Sequence, residues 1–198
     1  MDKQIAVFLL FVIFTTGHSL SCYQCNSSCV NLTETACSSG TTMCESTTMI
    51  PQLADLGTNK TFKGCAADCG NGSINFSIVM IFSECCNSDR CNIQDAQDSN
   101  TDALNGNTCY YCDESNNCFN VLNCSGSDDL CVTATGTIEG QEMTLKGCAS
   151  SSICVAVTSI GLAQNISCCS ENLCNGAKSV TQSFLFLCFP LIIFILML

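Results

Sequence analysis

Apolar and polar residues follow short strand-like patterns over most of the chain between residues 20 and 175. Residues 132–138 are a β-branched run, and residues 143–146 form a return strand after a turn that contains Gly140, which predicts a hairpin. An earlier interval repeats this arrangement, with residues 45–49 leading out and residues 61–63 leading back around a longer loop. No stretch shows a helical period, so the pattern predicts an all-β fold.

A further strand excursion is expected at residues 70–84 and another at residues 155–167. The first contains the apolar run 78–82, from Ile78 to Phe82. A buried central strand explains this run better than a binding surface does, because both have the same pattern and buried strands are common.

The two ends of the chain differ from the middle. Lys3 precedes an apolar run at residues 5–14, followed by the small residues Gly17 and Ser19, which is the layout of a secretory signal peptide over residues 1–19. The alternative is an N-terminal membrane anchor, but this run is too short to cross a hydrocarbon core of about 30 Å.

Residues 184–198 are almost wholly apolar and follow a polar spacer and the small residues 175–177. This order predicts a glycosylphosphatidylinositol (GPI) attachment signal over residues 176–198, with the lipid joined at Asn175 or Gly176. A single membrane span is the competing interpretation. Either way, we expect the protein on the extracellular face of the cell membrane, after passage through the secretory pathway.

The chain contains 21 cysteines, and twenty of them form a ten-cysteine pattern that occurs twice. Most equivalent positions differ by 87 residues up to Cys44 and Cys131, and by 83 from Cys65 and Cys148 onward. Lys-Gly-Cys-Ala at 63–66 recurs at 146–149, which supports an internal duplication. Such cysteine density is typical of small secreted domains held by disulfides.

We therefore predict one module at residues 20–92 and a second at 109–175. Residues 93–108 are polar and contain several aspartates and asparagines, which predicts a solvated linker between the modules. Modules of this size bury only a modest core, so the disulfides must supply much of their stability.

Removal of both terminal signals would leave four basic and 16 acidic residues, a formal charge of −12. This charge disfavours nucleic acid and anionic lipid as partners. Cys188 would leave with the tail, so that an even number of cysteines remains.

Catalytic chemistry is poorly represented. The single histidine, His18, lies in the predicted signal peptide, which excludes a histidine-based site from the mature chain. Carboxylate pairs are conceivable at Asp128 with Asp129 and at Glu139 with Glu142, although acidic residues in turns are usually only solvated. The two Cys-x-x-Cys motifs at 22–25 and 109–112 are more consistent with disulfides than with zinc or redox sites. We expect no enzyme activity, cofactor or metal.

Asparagine sequons suggest N-glycans on the protein, and five of the seven fall in the first module. We expect Asn26 and Asn123 to be poor acceptors because each adjoins a cysteine. The seven sequons are at Asn26, Asn31, Asn59, Asn71, Asn75, Asn123 and Asn165.

Three apolar residues in the long loop of the first module, Ile50, Leu53 and Leu56, are candidates for contact with a protein partner. Contact and self-packing are equally good explanations, because apolar residues at a projecting tip are hard to bury within a thin domain.

The opening Cys-Tyr-Gln-Cys and Cys-Tyr-Tyr-Cys, with the closing Cys-Cys-Asn-Ser-Asp-Arg-Cys-Asn and Cys-Cys-Ser-Glu-Asn-Leu-Cys-Asn, resemble the lymphocyte antigen 6 and urokinase receptor family of three-finger domains. The resemblance covers nearly the whole mature chain and implies two tandem three-finger, snake-toxin-like domains. It also implies a structural role for the closing Asn92 and Asn175. In the first module it implies the disulfides Cys22–Cys44, Cys25–Cys29, Cys37–Cys65, Cys69–Cys85 and Cys86–Cys91. In the second it implies Cys109–Cys131, Cys112–Cys118, Cys124–Cys148, Cys154–Cys168 and Cys169–Cys174.

The resemblance suggests a GPI-anchored receptor, adhesion protein or modulator that binds an extracellular or cell-surface protein through its finger loops or through the groove between the modules. The alternative is a secreted inhibitor, as in two-module relatives from snake serum that block phospholipases. A purely structural coat component is a third possibility. One scaffold serves many partners, so the resemblance does not choose among these roles.

Overall fold

A computed structural model describes residues 19–53, 57–97, 103–138, 141–156 and 165–176. The predicted tail after Gly176 and all of the predicted signal peptide except Ser19 lie outside these residues. The strands are β1 Ser21–Ser27, β2 Thr33–Ala36, β3 Met43–Pro51, β4 Lys60–Ala66, β5 Gly72–Asn75, β6 Val79–Cys86, β7 Leu104–Tyr111, β8 Asn120–Ser125, β9 Leu130–Ile138, β10 Gln141–Ala149 and β11 Asn165–Cys169. Among these described residues, one helix, α1, spans Ser151–Ala156, and a 3-10 turn spans Cys91–Ile93.

The predicted hairpins are confirmed. β3 pairs with β4 along its length, from Met43 opposite Ala66 to Met49 opposite Lys60. β9 pairs with β10 from Leu130 opposite Ala149 to Ile138 opposite Gln141. Threonine and serine occupy the middle of β3 and are buried there, since this strand has a neighbour on each side. The all-β prediction is therefore correct. We call β1–β2, β3–β4 and β5–β6 the first, second and third fingers of the first module, and β7–β8 and β9–β10 the first and second fingers of the second.

Nine of the strands form one continuous sheet in the order β11-β9-β10-β5-β6-β3-β4-β1-β2, and β7 and β8 form a separate two-stranded sheet. The sheet passes from the second module into the first at β10 and β5, where Cys148 lies opposite Asn75 and Ala149 opposite Ile74. Two sheet edges that would otherwise expose unpaired backbone groups thus cover each other.

Of the predicted solvated linker, residues 93–97 and 103–106 are exposed apart from the buried Ala96, but both ends of the segment are attached to the modules. The buried ammonium of Lys63 donates to the carbonyl oxygens of Asn92, Ile93 and Gln94 at 3.0, 2.8 and 2.6 Å and lies 2.9 Å from the carboxylate of Asp95. A buried ammonium needs such partners, and it holds this segment on the first module. At the other end, β7 already begins at Leu104. Only residues 98–102 between the modules lie outside the described part.

The helix α1 is a second difference from the sequence-based expectation, which contained no helix. Its six residues are too few to show a helical period, and isolated helices of this length are not stable. Tertiary contacts stabilise it instead. The Asp129 carboxylate accepts a hydrogen bond from the Ser151 amide at 3.2 Å, Ile153 is buried, and Cys154 is bonded to Cys168.

Candidate interaction surfaces

Disulfides form the base of each module. The ten that the structure contains join the same pairs that the family resemblance implies. Two sulfur clusters have the spacing of a metal site, namely Cys22, Cys37 and Cys65, and Cys109, Cys124 and Cys148. All six sulfurs belong to disulfides, and in that state none can act as a thiolate ligand.

The closing asparagines have the structural role that the resemblance implies. The Oδ1 atom of Asn92 accepts from the Tyr23 amide, and its Nδ2 donates to the carbonyl oxygens of Tyr23 and Glu45, all at 2.9 Å. Asn175 repeats this with Tyr110 and Val132 at 2.9–3.0 Å. Both side chains are buried, so each amide satisfies three backbone groups that water cannot reach.

The contact between the modules is built around two serines. The Ser150 amide donates to the Ser73 carbonyl at 3.0 Å, and the Ser73 amide donates to the Ser150 hydroxyl at 3.0 Å. The Ser73 hydroxyl donates to the buried carboxylate of Asp128 at 2.6 Å, and the Ser152 hydroxyl donates to the Asn71 carbonyl. The predicted carboxylate pair at 128–129 is therefore structural, since Asp128 binds the first module and Asp129 binds the start of α1.

Glycines allow the modules to approach this closely. A Cβ at Gly147 would lie 2.8 Å from the carbonyl carbon of Asn75 and 3.0 Å from the Cα of Phe76. Gly72 has φ +151°, and a Cβ there would lie 2.9 Å from the Cβ of Ser150. Any side chain at either position would push the modules apart, so the duplicated Lys-Gly-Cys-Ala motif has a separate use in the second module.

An apolar cluster lies under the same contact. Ile74 and Phe76 from the first module pack with Val132, Ala134, Ala149 and Ile153 from the second, and all six are at most 6% exposed. The modules thus share a core, and the described residues leave no open groove along the line where β5 meets β10. The part of the prediction that placed partner binding in a groove between the modules is not supported at this line.

The predicted contact loop lies at the end of the second finger of the first module. Ile50 and Leu53 are each half-buried, whereas Leu56 lies outside the described residues. Ile50 lies opposite Met80 of β6, and the Gln52 amide donates to the Ile78 carbonyl at 2.9 Å. The neighbouring third finger thus supports the base of this loop.

The apolar run at 78–82 contributes most of β6, which lies between β5 and β3 as a central strand. Phe82 is buried, and the four residues before it are half-buried. This is the arrangement that the sequence analysis favoured over a binding surface.

A second apolar surface was missed by the sequence analysis. Phe119 is 72% exposed and Val121 is 53% exposed on the first finger of the second module. The ring of Phe119 meets that of Tyr110 edge to face, with centroids 6.5 Å apart. The signal available in the sequence was the spacing of Phe119 and Val121, which are two residues apart and so lie on one face of a strand.

The turn before Phe119 is ordered by Asp113. Its Oδ1 accepts from the amides of Asn117 and Ser115 at 3.0 Å each, and its Oδ2 accepts from the side-chain amide of Asn120 at 2.9 Å. The Asn117 amide hydrogen bond is the main reason that the pKa of this carboxyl lies below its usual value, with Asn120 and Ser115 lowering it further. Burial opposes this shift.

An open hollow of about 850 Å³ lies at the base of the first module. It is lined by Ser19, Leu20, residues 37–42 and residues 87–89. These residues contribute serine and threonine hydroxyls, backbone groups and the side chains of Asn87 and Asp89. Asp89 is its one carboxylate, and its Oδ1 already accepts from the Ser21 amide at 2.9 Å. The hollow therefore lacks a pair of groups for acid–base chemistry.

Most predicted glycosylation sites lie on the surface. Asn26, Asn31, Asn59, Asn71 and Asn123 are exposed, Asn75 is half-buried at the module contact, and the side chain of Asn165 lies outside the described part. The expected crowding of Asn26 and Asn123 by the adjacent cysteines is not seen, because neighbouring residues of a strand point to opposite faces. Asn75 is the crowded site instead.

Comparison with known proteins agrees with this architecture. A family model for snake toxin and toxin-like proteins matches residues 20–92 and, a second time, residues 108–175. The chain belongs to this family. The mouse (Mus musculus) protein "Secreted Ly-6/uPAR-related protein 1" is 32% identical over 77 residues, which cover 34% of this chain and 70% of the relative. The chain is thus a two-module Ly6/uPAR-like protein, and proteins of this family are extracellular or secreted.

Among the described residues, no helix is long and apolar enough to cross a bilayer. Residues 177–198, which carry the predicted lipid-attachment signal and apolar tail, lie outside them.

Proposed function

We propose that this chain is a cell-surface glycoprotein that binds another extracellular protein by its finger loops and performs no catalysis. The observation that carries the proposal is the shared core of the two modules, which makes them one rigid support for the exposed finger ends. The mouse relative is a secreted Ly-6/uPAR-related protein, which fits an extracellular role.

We place the protein contact at the end of the second finger of the first module. Ile50 and Leu53 are apolar and only half-buried there, and the third finger holds the base of the loop through Gln52. Because the base of the loop is held, Ile50 and Leu53 lose little conformational entropy on binding, which favours affinity.

We propose further that a GPI lipid holds the protein on the membrane, since small residues at 175–177, a polar spacer and an apolar segment follow one another. Of the two predicted attachment residues, Gly176 fits better. Asn175 has its side chain buried and bonded to two strands, so presenting it to an attachment enzyme would disrupt the second module. N-glycans are proposed at the exposed sequons of the first module.

The experiment is proximity labelling from the full chain on the surface of cells that express it, followed by binding of the identified partner to variants. Ile50→Ser and Leu53→Ser together should abolish binding while secretion and the disulfide pattern remain normal. Val30→Ser is the matched control, because Val30 is 85% exposed and lies in another loop of the same module. Unchanged binding by the double variant refutes the proposed contact, and loss of binding by the control would show that the effect is not local.

A secreted inhibitor is the second candidate, because the named relative is a secreted protein. Treatment of intact cells with phosphatidylinositol-specific phospholipase C distinguishes the two. Release of the protein by the enzyme supports the lipid anchor. Protein found only in the medium of untreated cells supports the secreted form and refutes the anchor.

A further inference from the structure

The first finger of the second module carries a strip of three apolar or aromatic side chains, Tyr110, Phe119 and Val121, here called the β7–β8 strip. Tyr110 lies opposite Val121 in the strand register, so both side chains are on the same face. Phe119 joins that face through its edge-to-face contact with Tyr110. Phe119 is 72% exposed and Val121 is 53% exposed. The three side chains are therefore neighbours on one face, two of them are aromatic, and the strip is open to solvent.

The strip lies where the chain leaves the module. A Cβ at Gly176 would be 3.2 Å from Cε2 of Tyr110, so Gly176 packs directly on that ring. The side chain of Asn175 holds both the amide and the carbonyl of Tyr110. The Leu173 amide donates to the Thr108 carbonyl at 2.8 Å. These bonds fix the position at which the chain passes toward its apolar segment.

The attachment proposed above would bring a membrane close to this exit, because a lipid would join the chain at Gly176 in place of the residues after it. Seven residues, 177–183, precede the apolar segment 184–198. Fully extended, they reach at most about 25 Å, at roughly 3.5 Å per residue. Under either form of attachment considered above, by lipid at Gly176 or by the apolar segment itself, the β7–β8 strip is on the part of the protein next to the bilayer.

We propose that the β7–β8 strip rests on a zwitterionic lipid surface, with Phe119 and Val121 in the interfacial layer and Tyr110 beside them. Aromatic side chains are enriched at this depth because the ring is apolar and its edge tolerates water. This inference rests on the membrane attachment proposed above. Its consequence is a fixed orientation, in which the second module lies against the membrane by its first finger.

The acidic charge of the chain and the modification state of Asn123 restrict which lipid surface the β7–β8 strip can contact. Asp113 and Glu114 lie in the turn that precedes Phe119, and the mature chain is strongly acidic, so an anionic surface would repel the strip. Phosphatidylcholine is therefore the expected lipid. Asn123 lies on the same face as Val121, two residues along β8, and a glycan there would hold the strip away from the bilayer. The proposal thus requires an unmodified Asn123.

The chain contains no tryptophan, so a single introduced tryptophan reports on its own position. The full chain carrying F119W is purified from cells with its membrane attachment and is reconstituted into phosphatidylcholine vesicles. Flotation of the vesicles shows whether the protein is attached. Acyl chains brominated near the headgroup then report contact through quenching of the indole. V121W is a second reporter, and V30W, at an exposed position of the first module, is the control.

The F119W and V121W emission should shift to shorter wavelength and be quenched by the brominated lipid, with V30W unaffected. Protein that floats while F119W and V121W keep aqueous, unquenched emission overturns the inference and leaves the attachment intact. Equal quenching of V30W also overturns it, because the strip would then have no special contact. Protein that does not float refutes the attachment and, with it, the inference. Peptide mapping that finds Asn123 fully glycosylated contradicts the proposal independently.

Discussion

The Gly147→Ala substitution tests the contact between the modules, and Gly64→Ala is its matched control. The two glycines occupy the same place in the duplicated Lys-Gly-Cys-Ala motif. A Cβ at Gly64 meets nothing within 4 Å, whereas a Cβ at Gly147 would lie 2.8 Å from the carbonyl carbon of Asn75. The same chemical change is therefore harmless in one module and disruptive in the other.

The magnitude follows from the displacement that the new methyl group requires. Ordinary carbon–carbon contact is about 3.5–4.0 Å, so β5 and β10 must separate by about 1 Å. The two serine bonds of 3.0 Å between Ser73 and Ser150 would then exceed hydrogen-bonding distance. Two such bonds at about 1 kcal/mol each, together with strain in a packed site, weaken the docking by about 2–4 kcal/mol.

Amide hydrogen exchange measures this effect directly. We expect the Ser73 and Ser150 amides to exchange at least about 30-fold faster in Gly147→Ala, since 1.4 kcal/mol corresponds to a tenfold change. Gly64→Ala should leave both rates unchanged. The disulfides keep each module folded, so amides within β3 and β9 should remain protected in both variants. Equal exchange at Ser73 and Ser150 in the two variants would refute the argument that the modules share an interface at Gly147.

Three further outcomes are expected. Replacement of Asn92 by Ala leaves the Tyr23 and Glu45 backbone groups unpaired and should destabilise the first module by about 3 kcal/mol in chemical denaturation. Replacement of the exposed Asn87 by Ala should have little effect, and equal losses of stability in the two variants would contradict the structural role of Asn92. Lys63→Met removes the ammonium that holds residues 92–95, so this segment should become sensitive to limited proteolysis at native pH, and unchanged resistance would show that other contacts hold it. Because its folded-state pKa is lowered, Asp113 stabilises its turn above its ordinary pKa, and this contribution is lost as the pH falls through the lowered value. The NMR shifts of the Asn117 and Ser115 amides should follow that titration, and Asp113→Asn should abolish it.

The sequence predicted the parts of the fold that depend on local pattern. The Gly140 turn was predicted from the β-branched run before it and the return strand after it, and the strands β9 and β10 form there as expected. The doubled cysteine pattern indicated two modules, and the resemblance implied the bridges that the structure contains. These features can be recognised from the sequence because each depends on neighbouring residues or on a cysteine spacing that recurs within the chain.

The module contact could not be predicted in this way. Gly64 and Gly147 have the same flanking residues, and only the three-dimensional fold shows that one faces open space and the other faces Asn75. Asp128 likewise has the sequence context of a solvated turn, whereas in the structure it is buried and binds Ser73 of the other module. The polar sequence of the linker likewise does not show that Lys63 binds the backbone carbonyls at its start.

The most direct test of a two-module rigid body is to cut the chain between the modules. A protease site placed within residues 98–102 is cleaved, and the product is analysed by gel filtration without reductant at a series of protein concentrations. The shared core and the β5–β10 pairing predict that the two fragments elute together. In Gly147→Ala the fragments should already separate at protein concentrations at which the unsubstituted fragments still elute together. Fragments that separate at every concentration would contradict the claim that the modules are docked as one body.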